Sequence, residues 1–265
     1  MSERGGRPLA IVTGASSGIG LELARIAARD GHDVVLVARS SDRLRAVAEE
    51  LHREHGVDAR PVVADLAEPA GVPTVLDALA GADVDVLVNN AGVGGLGRFA
   101  TERNLEDDLR MVRLDVESVV HLTGALLPAM VARGRGGILN VSSTAAYAPG
   151  PLQAVYYASK AFVKSFSEAL TEECRGTGVR VTALCPGPVD TGFAQAAGME
   201  HTPLMHTGPL MVPAADVAQA GWNALRAGRA VVVPGVALKV GMQALRLTPR
   251  RVAARIAQLA QTNRE

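Results

Sequence analysis

The chain has 265 residues, 48% of them hydrophobic and only 3% aromatic, enough for one large α/β domain whose core must be filled by aliphatic side chains and alanine. Its 27 basic and 27 acidic residues give a formal net charge of zero, which argues against nucleic acid as a partner. Cys174 and Cys185 are the only cysteines, so there is neither a disulfide framework nor a metal-ligand spacing.

In chain order, Leu9-Ala10-Ile11-Val12 reads as a buried strand, short and apolar. It runs into Thr13-Gly14-Ala15-Ser16-Ser17-Gly18-Ile19-Gly20, and a helix follows with apolar Leu21, Leu23, Ala24, Ala27 and Ala28. Asp33 to Ala38 is a second buried strand, and the helix through Leu44, Val47, Ala48 and Leu51 has Ser40 or Ser41 as its expected cap. Pro61 to Ala64 is the third strand, Val75 to Leu79 a short helix and Val84 to Val88 the fourth strand. A long helix covers roughly Leu105 to Ala132, followed by a strand from Gly137 to Val141 and a helix from Val155 to Arg175. Val179 to Leu184 is the sixth strand and Ala230 to Val233 a seventh. Near-continuous apolar strands between helices indicate a parallel sheet covered on both faces. Right-handed crossovers make it a doubly wound, Rossmann-like, mostly parallel seven-stranded sheet. No repeat or linker divides residues 1–265, so a single domain is expected. No apolar run approaches the roughly 20 residues that span a bilayer, and Gly5-Gly6-Arg7-Pro8 leads into the first strand without a signal-peptide core. The expected setting is cytoplasmic.

Two motifs carry chemistry. Strand, glycine turn and helix form the context a phosphate-binding turn requires: glycines allow close backbone approach, and the helix N-terminus offers unpaired N–H groups and a positive dipole end. Further on, Tyr156 and Lys160 stand one helical turn apart, and Ser143 precedes them at the end of a strand. A phenol is a weak proton donor or acceptor near neutrality, and an ammonium on the same helix face favours its ionised form. The three residues suit proton transfer at a carbonyl or alcohol oxygen. Every motif follows a strand, so all of them point to one rim of the sheet, where ligands bind in such folds.

In this order and spacing the chain resembles the short-chain dehydrogenase/reductase family. Thr13-Gly14-Ala15-Ser16-Ser17-Gly18-Ile19-Gly20 matches its Thr-Gly-x-x-x-Gly-x-Gly turn, and Asp65-Leu66 its adenine-contacting pair. Asn89-Asn90-Ala91-Gly92 is similar to its motif after the fourth strand, and Pro186-Gly187-Pro188-Val189-Asp190-Thr191 to its nicotinamide-contacting loop. The resemblance implies Ser143, Tyr156 and Lys160 as catalytic residues, with Tyr156 as acid/base and Lys160 also bonding the nicotinamide ribose. It implies a hydrogen bond from Asp65 to the adenine amino group, and Asn90, Ala91 and Gly92 against the adenosine ribose. It also implies a homodimer or homotetramer built on the long helix carrying His121, Leu122, Leu126 and Leu127 and the helix carrying Phe162 and Phe166. One departure stands out: Leu114-Asp115-Val116 replaces the family's Leu-Asn-Val context. Asp115 is expected to take the catalytic Asn's place, or to add negative charge near Lys160.

The second strand ends in Val37-Ala38-Arg39, with no acid where an NAD site places a carboxylate for the ribose 2′-hydroxyl. Arg39, with Ser40 and Arg43, suits a 2′-phosphate, so NADP(H) is expected over NAD(H), with no metal. The expected reaction interconverts a carbonyl and an alcohol; the alternative is a non-catalytic NADP(H)-binding sensor, or, within enzymes, a lyase or epimerase. The substrate loop, about 191–212, carries Phe193, Met199, Leu204, Met205, Leu210 and Met211, and flexible methionines suit an adaptable apolar pocket. His52 and His55 read as solvent-exposed, His201 and His206 as loop residues, His121 as a core or interface residue, and Tyr157 as packing. The C-terminal extension, about 236–265, mixes apolar residues with Lys239, Arg246, Arg250, Arg251 and Arg255. A lid or subunit contact is its first reading, and membrane association its second.

Overall fold

A computed structural model describes residues 6–189, 191–199, 202–203 and 211–262. Short apolar runs with β-branched residues become the central strands. β1 (Leu9–Thr13) is buried along its whole length. β2 (Asp33–Ala38), β3 (Ala59–Val63), β4 (Val86–Asn89), β5 (Gly136–Val141), β6 (Val179–Leu184) and β7 (Val231–Val232) complete one seven-stranded sheet in the order β3-β2-β1-β4-β5-β6-β7. All six pairings are parallel, with Ile11 opposite both Val35 and Leu87.

Alternation along the strands divides the core in two. Ala10, Val12, Val34 and Leu36 face α1 (Gly18–Arg29) and α2 (Ser41–His55), together with Trp222 and Leu225 from further along the chain. Leu9, Ile11, Val35 and Leu87 face α3 (Gly71–Leu79) on the other side, together with Leu122, Met130 and Leu170. The remaining helices are α4 (Leu105–Val112), α5 (Ser118–Arg133), α6 (Ala154–Glu173), α7 (Gly192–Ala196), α8 (Ala214–Arg226), α9 (Val236–Leu247) and α10 (Arg250–Gln261).

Three departures from the sequence reading have physical reasons. β3 starts two residues early because it is an edge strand: only β2 pairs with it, so it needs no continuous apolar run and tolerates Pro61. The long helix is α4 and α5 joined by a π-turn over Arg113–Glu117, a widened turn of the kind that accompanies functional sites. The stretch Leu105–Arg133 is long and apolar enough to cross a bilayer by length and composition. Its Met111, Leu122 and Met130 nevertheless lie buried in the core. The C-terminal extension forms two helices, α9 and α10, divided at Thr248 and Pro249. Ser40 occupies the N-cap position of α2, as expected, but its side chain makes no cap bond.

A buried polar chain ties the sheet to the helices that carry the site. The Asn89 side-chain amide donates to Asn140 Oδ1 (2.8 Å) and Thr123 Oγ1 (3.2 Å). Asn140 donates to Ser167 Oγ (2.9 Å), and Ser167 donates to the Val163 carbonyl (2.7 Å). This links β4, β5, α5 and α6 and fixes how α6 lies on the sheet. Asn140→Ala leaves the Asn89 amide short of its acceptor and the Ser167 hydroxyl without its donor. It should lower unfolding free energy by about 1–3 kcal/mol for each group left unpaired, read from urea denaturation. An unchanged midpoint would contradict this role.

Candidate active site

The glycine turn is shaped by its neighbours. Gly14 and Gly18 take left-handed φ values of 66° and 56°, which favour glycine. A Cβ at Gly14 would lie 2.7 Å from the Asn90 side-chain nitrogen, and one at Gly20 would overlap that nitrogen and the Gly14 carbonyl. The Asn90 amide donates to the carbonyls of Thr13 (2.9 Å) and Gly14 (3.3 Å). The Thr13 hydroxyl in turn receives the backbone N–H groups of Asn90 (2.9 Å) and Ala91 (3.0 Å). The loop after β4 therefore braces the loop after β1. Ser17 stands at the N-cap of α1 without a side-chain cap bond, so no side chain of its own closes that helix end.

A cavity of about 1030 Å³ runs from this turn across the carboxyl rim of the sheet. Gly14, Ser16, Ser17, Gly18 and Ile19 line it at one end, with Arg39, Ser40 and Arg43 beyond β2 and Asp65 and Leu66 beyond β3. Asn90, Ala91, Gly92, Ser143, Tyr156, Lys160, Pro186, Gly187, Val189 and Thr191 line the rest. Two expected site residues do not reach it. Gly20 is buried under Asn90, where its lack of a side chain lets the turn close. Asp115 is fully buried behind Lys160, with which it forms an ion pair. Asp190 lies outside the described residues, as do Leu204, Met205 and Leu210 of the expected substrate loop and the histidines His201 and His206.

The reacting end is a chain of buried polar groups. Tyr156 and Lys160 sit on the buried face of α6, with Lys160 Nζ 5.7 Å from the Tyr156 ring centre. Lys160 donates to the Val141 carbonyl (3.3 Å) and lies 3.1 Å from Asp115 Oδ2. Asp115 Oδ1 accepts the Val93 backbone N–H (3.0 Å). A Cβ at Gly92 would come within 3.0 Å of Lys160 Nζ and 3.1 Å of Asp115 Oδ1, so the missing side chain there makes room for the ion pair. Ser143 N-caps the short turn Thr144–Tyr147, its hydroxyl accepting the Ala145 N–H (3.1 Å).

Burial pulls the Lys160 ammonium down, but Asp115 and Tyr156 outweigh it and hold it above the ordinary lysine value. Burial pushes the Asp115 carboxyl up, against the pull of Lys160 and the Val93 N–H; the two groups titrate as a unit. Burial also pushes the Tyr156 phenol up. Lys160 and the Ser143 hydroxyl pull it down, Asp115 pushes it up, and the balance stays above the ordinary tyrosine value. The expected downward pull of Lys160 on this phenol is present, but desolvation and Asp115 together outweigh it.

The structure adds residues the sequence reading missed. Arg110 on α4 pairs with Asp65 and bonds Glu68 (2.6 Å), while Asp65 also accepts the Ala67 N–H (3.0 Å). No local pattern marks Arg110, which is 45 positions from Asp65. Met242 and Leu245 of α9 and Ala253, Ile256, Ala257 and Ala260 of α10 line the cavity with Phe193 and Met199, which gives the C-terminal segment its lid contact. The i, i+3, i+4, i+7 spacing over 253–260 was the available signal. Tyr157 is packed as expected, yet it also lines the cavity: its hydroxyl accepts a bond from Gln261 of α10 (2.5 Å), and burial pushes it up to about 12. His121 is exposed on the outer side of α5, not in the core, and His52 is exposed as expected while His55 is half-buried. Among the described residues no group of acids, cysteines and histidines could hold a metal.

These residues fit a dinucleotide: the glycine turn leaves its backbone open, α1 begins without a side-chain cap, and the cavity joins both to the buried tyrosine and lysine. The short chain dehydrogenase family model matches residues 8–201. A very-long-chain 3-oxoacyl-CoA reductase of Homo sapiens is 36% identical over 189 residues, covering 70% of this chain and 61% of that protein; the chain thus aligns with about three fifths of that relative's length. A 1-deoxy-11-beta-hydroxypentalenate dehydrogenase of Streptomyces avermitilis is 36% identical over 224 residues, 83% of this chain and 82% of that protein. The solved structure of a short-chain dehydrogenase from Sphingobium yanoikuyae in complex with NADPH superposes with a TM-score of 0.80 at 32% identity, covering 92% of this chain and 97% of the other.

Proposed function

The chain belongs to the short-chain dehydrogenase family, whose members among its relatives are named dehydrogenases and reductases, and we propose that it is an NADP(H)-dependent oxidoreductase interconverting a carbonyl and an alcohol on a hydrophobic small molecule. The observation that carries this reading is the placement of Ser143, Tyr156 and Lys160 in one cavity with the glycine turn. A nicotinamide dinucleotide, when bound, supplies hydride exchange with the substrate carbon. The protein handles the oxygen. The Tyr156 hydroxyl gives a proton to it in reduction, leaving a phenolate, and in oxidation that phenolate takes the proton back. Ser143 donates a hydrogen bond to the same oxygen and stabilises the charge that develops there. Lys160, held as an ammonium by Asp115, keeps a positive charge beside the phenol and would bond the nicotinamide ribose. A phenol held above its ordinary value stays protonated through neutral pH, the form that carbonyl reduction consumes. A sensor has no need of this proton relay.

Gly14 to Ile19 would hold the pyrophosphate on the open end of α1, and Asp65, set by Arg110, the adenine. Arg39 and Arg43 are exposed at the cavity edge where β2 ends, with Ala38 in the place of an acid, which supports a 2′-phosphate. The Sphingobium yanoikuyae structure with NADPH supports the same choice. Apolar Phe193, Met199, Met242 and Leu245 around the reacting end favour a hydrophobic substrate. The outer side of the α4–α5 and α6 layer leaves Val112, Val120 and Phe162 exposed, with Phe162 stacked on Phe166 at 5.8 Å, and a homodimer or homotetramer would cover it.

Tyr156→Phe keeps the ring and removes the proton. Turnover of a ketone panel with NADPH, followed by nicotinamide absorbance, should fall by about 10²–10⁴-fold with NADPH affinity little changed; near-normal turnover would sink the assignment. Arg39→Ala removes a charge-assisted contact, so NADPH binding should weaken about tenfold to a hundredfold while NADH binding stays nearly constant. Equal losses for both cofactors would show that Arg39 does not read the phosphate.

A further inference from the structure

Helix α9 is apolar on two opposite sides. Leu238, Met242 and Leu245 fall on one side: Leu238 is buried, a Cβ at Gly187 would lie 2.6 Å from it, and the other two line the cavity. Val236, Val240 and Leu247 fall within about 40° of one another on the far side, at about 100° per residue. They face outward, Val236 at 82% and Leu247 at 90% exposure. On α10, Val252 and Leu259, which do not line the cavity, are also exposed, Leu259 at 74%. A helix in a water-facing lid needs only one apolar stripe, so the second is unexplained by the cavity.

Charge indicates what covers it. Residues 236–262 contain Lys239, Arg246, Arg250, Arg251 and Arg255 and no Asp or Glu, so the positive charge is concentrated here in a chain whose formal net charge is zero. Lys239 and Arg246 lie together along one edge of the outward apolar stripe of α9, at about 100° per residue, and all five cations are exposed. A second copy docking this face to itself would bring like charges together. An anionic lipid surface would meet both features at once, apolar side chains entering the acyl boundary and cations resting at the phosphate level. We infer that the outer face of α9 and α10 is a docking surface for an anionic phospholipid bilayer. Met242 and Leu245, on the opposite side of α9, make the docked helix a partition between lipid and the substrate site proposed above.

The test is co-sedimentation of the full chain with phosphatidylcholine–phosphatidylglycerol vesicles, alongside pure phosphatidylcholine vesicles. The wild type should sediment with the anionic vesicles and release at high salt. Val240→Asp with Leu247→Asp should abolish binding. Lys239→Gln with Arg246→Gln should weaken it about thirtyfold, from about 1 kcal/mol for each cation at such a surface. Neither pair lines the cavity, so circular dichroism and reduction of a water-soluble ketone should stay as in the wild type, which separates failed docking from a failed enzyme assignment. Absence of sedimentation with anionic vesicles would overturn the inference. So would equal sedimentation of the aspartate variant, or a light-scattering mass that halves in that variant, since a second copy would then be the occupant.

Discussion

The ion pair between Asp115 and Lys160 is the constraint around which the rest of the site is arranged. Both side chains are almost completely removed from water, and a charge left alone there would cost about 3–5 kcal/mol. Each partner therefore requires the other, and the surroundings are built to let them meet. The π-turn carries Asp115 on the helix layer. Gly92 leaves the space between the two groups, the Val93 N–H takes one carboxylate oxygen, and the Val141 carbonyl receives the ammonium. A glutamine or leucine at position 160 would leave Asp115 buried without compensation. The pair is thus at once a structural joint between the α4–α5 layer and α6 and the electrical setting of Tyr156.

The sheet supplies the other half of the geometry. Strand order reverses between β1 and β4, and a crevice opens beyond the carboxyl ends at such a switch point. The two loops that flank it hold each other through Thr13 and Asn90, so the glycine turn is braced before any ligand arrives. Preorganisation of this kind spares binding energy that would otherwise order the loop. The polar chain from Asn89 to Ser167 does the same for the reacting end, by fixing α6 against β4 and β5. Positioning of the nucleotide end and of the proton relay therefore rests on buried hydrogen bonds on either side of β4.

Much of this was legible in the sequence because it is local. Buried strands announce themselves as apolar runs, and β2 and β6 are found at their expected bounds. Glycine turn, Tyr156 and Lys160 are short-range patterns, and the parallel order brings them to one rim. What was not legible depends on pairs distant in sequence. Arg110 meets Asp65, Asn90 covers Gly20, and Gln261 reaches Tyr157 only once the chain has folded. The direction in which Tyr156 shifts follows from burial as well as charge, and the Tyr-x-x-x-Lys spacing reports only the charge. The two-sided character of α9 was hidden for a similar reason, since its inner residues are defined by a cavity whose other walls come from earlier strands.

The central claim is that Asp115, acting through Lys160 and on the phenol directly, keeps Tyr156 protonated to higher pH. Asp115→Asn removes a negative charge that raises both Lys160 and Tyr156. Both values then fall, and the proton needed for carbonyl reduction is lost at lower pH. The pH dependence of kcat/KM for NADPH-driven ketone reduction, compared between wild type and Asp115→Asn, tests this directly. A folded, active variant whose alkaline limb moves to lower pH is the predicted result. A limb that stays in place or moves to higher pH would contradict the account.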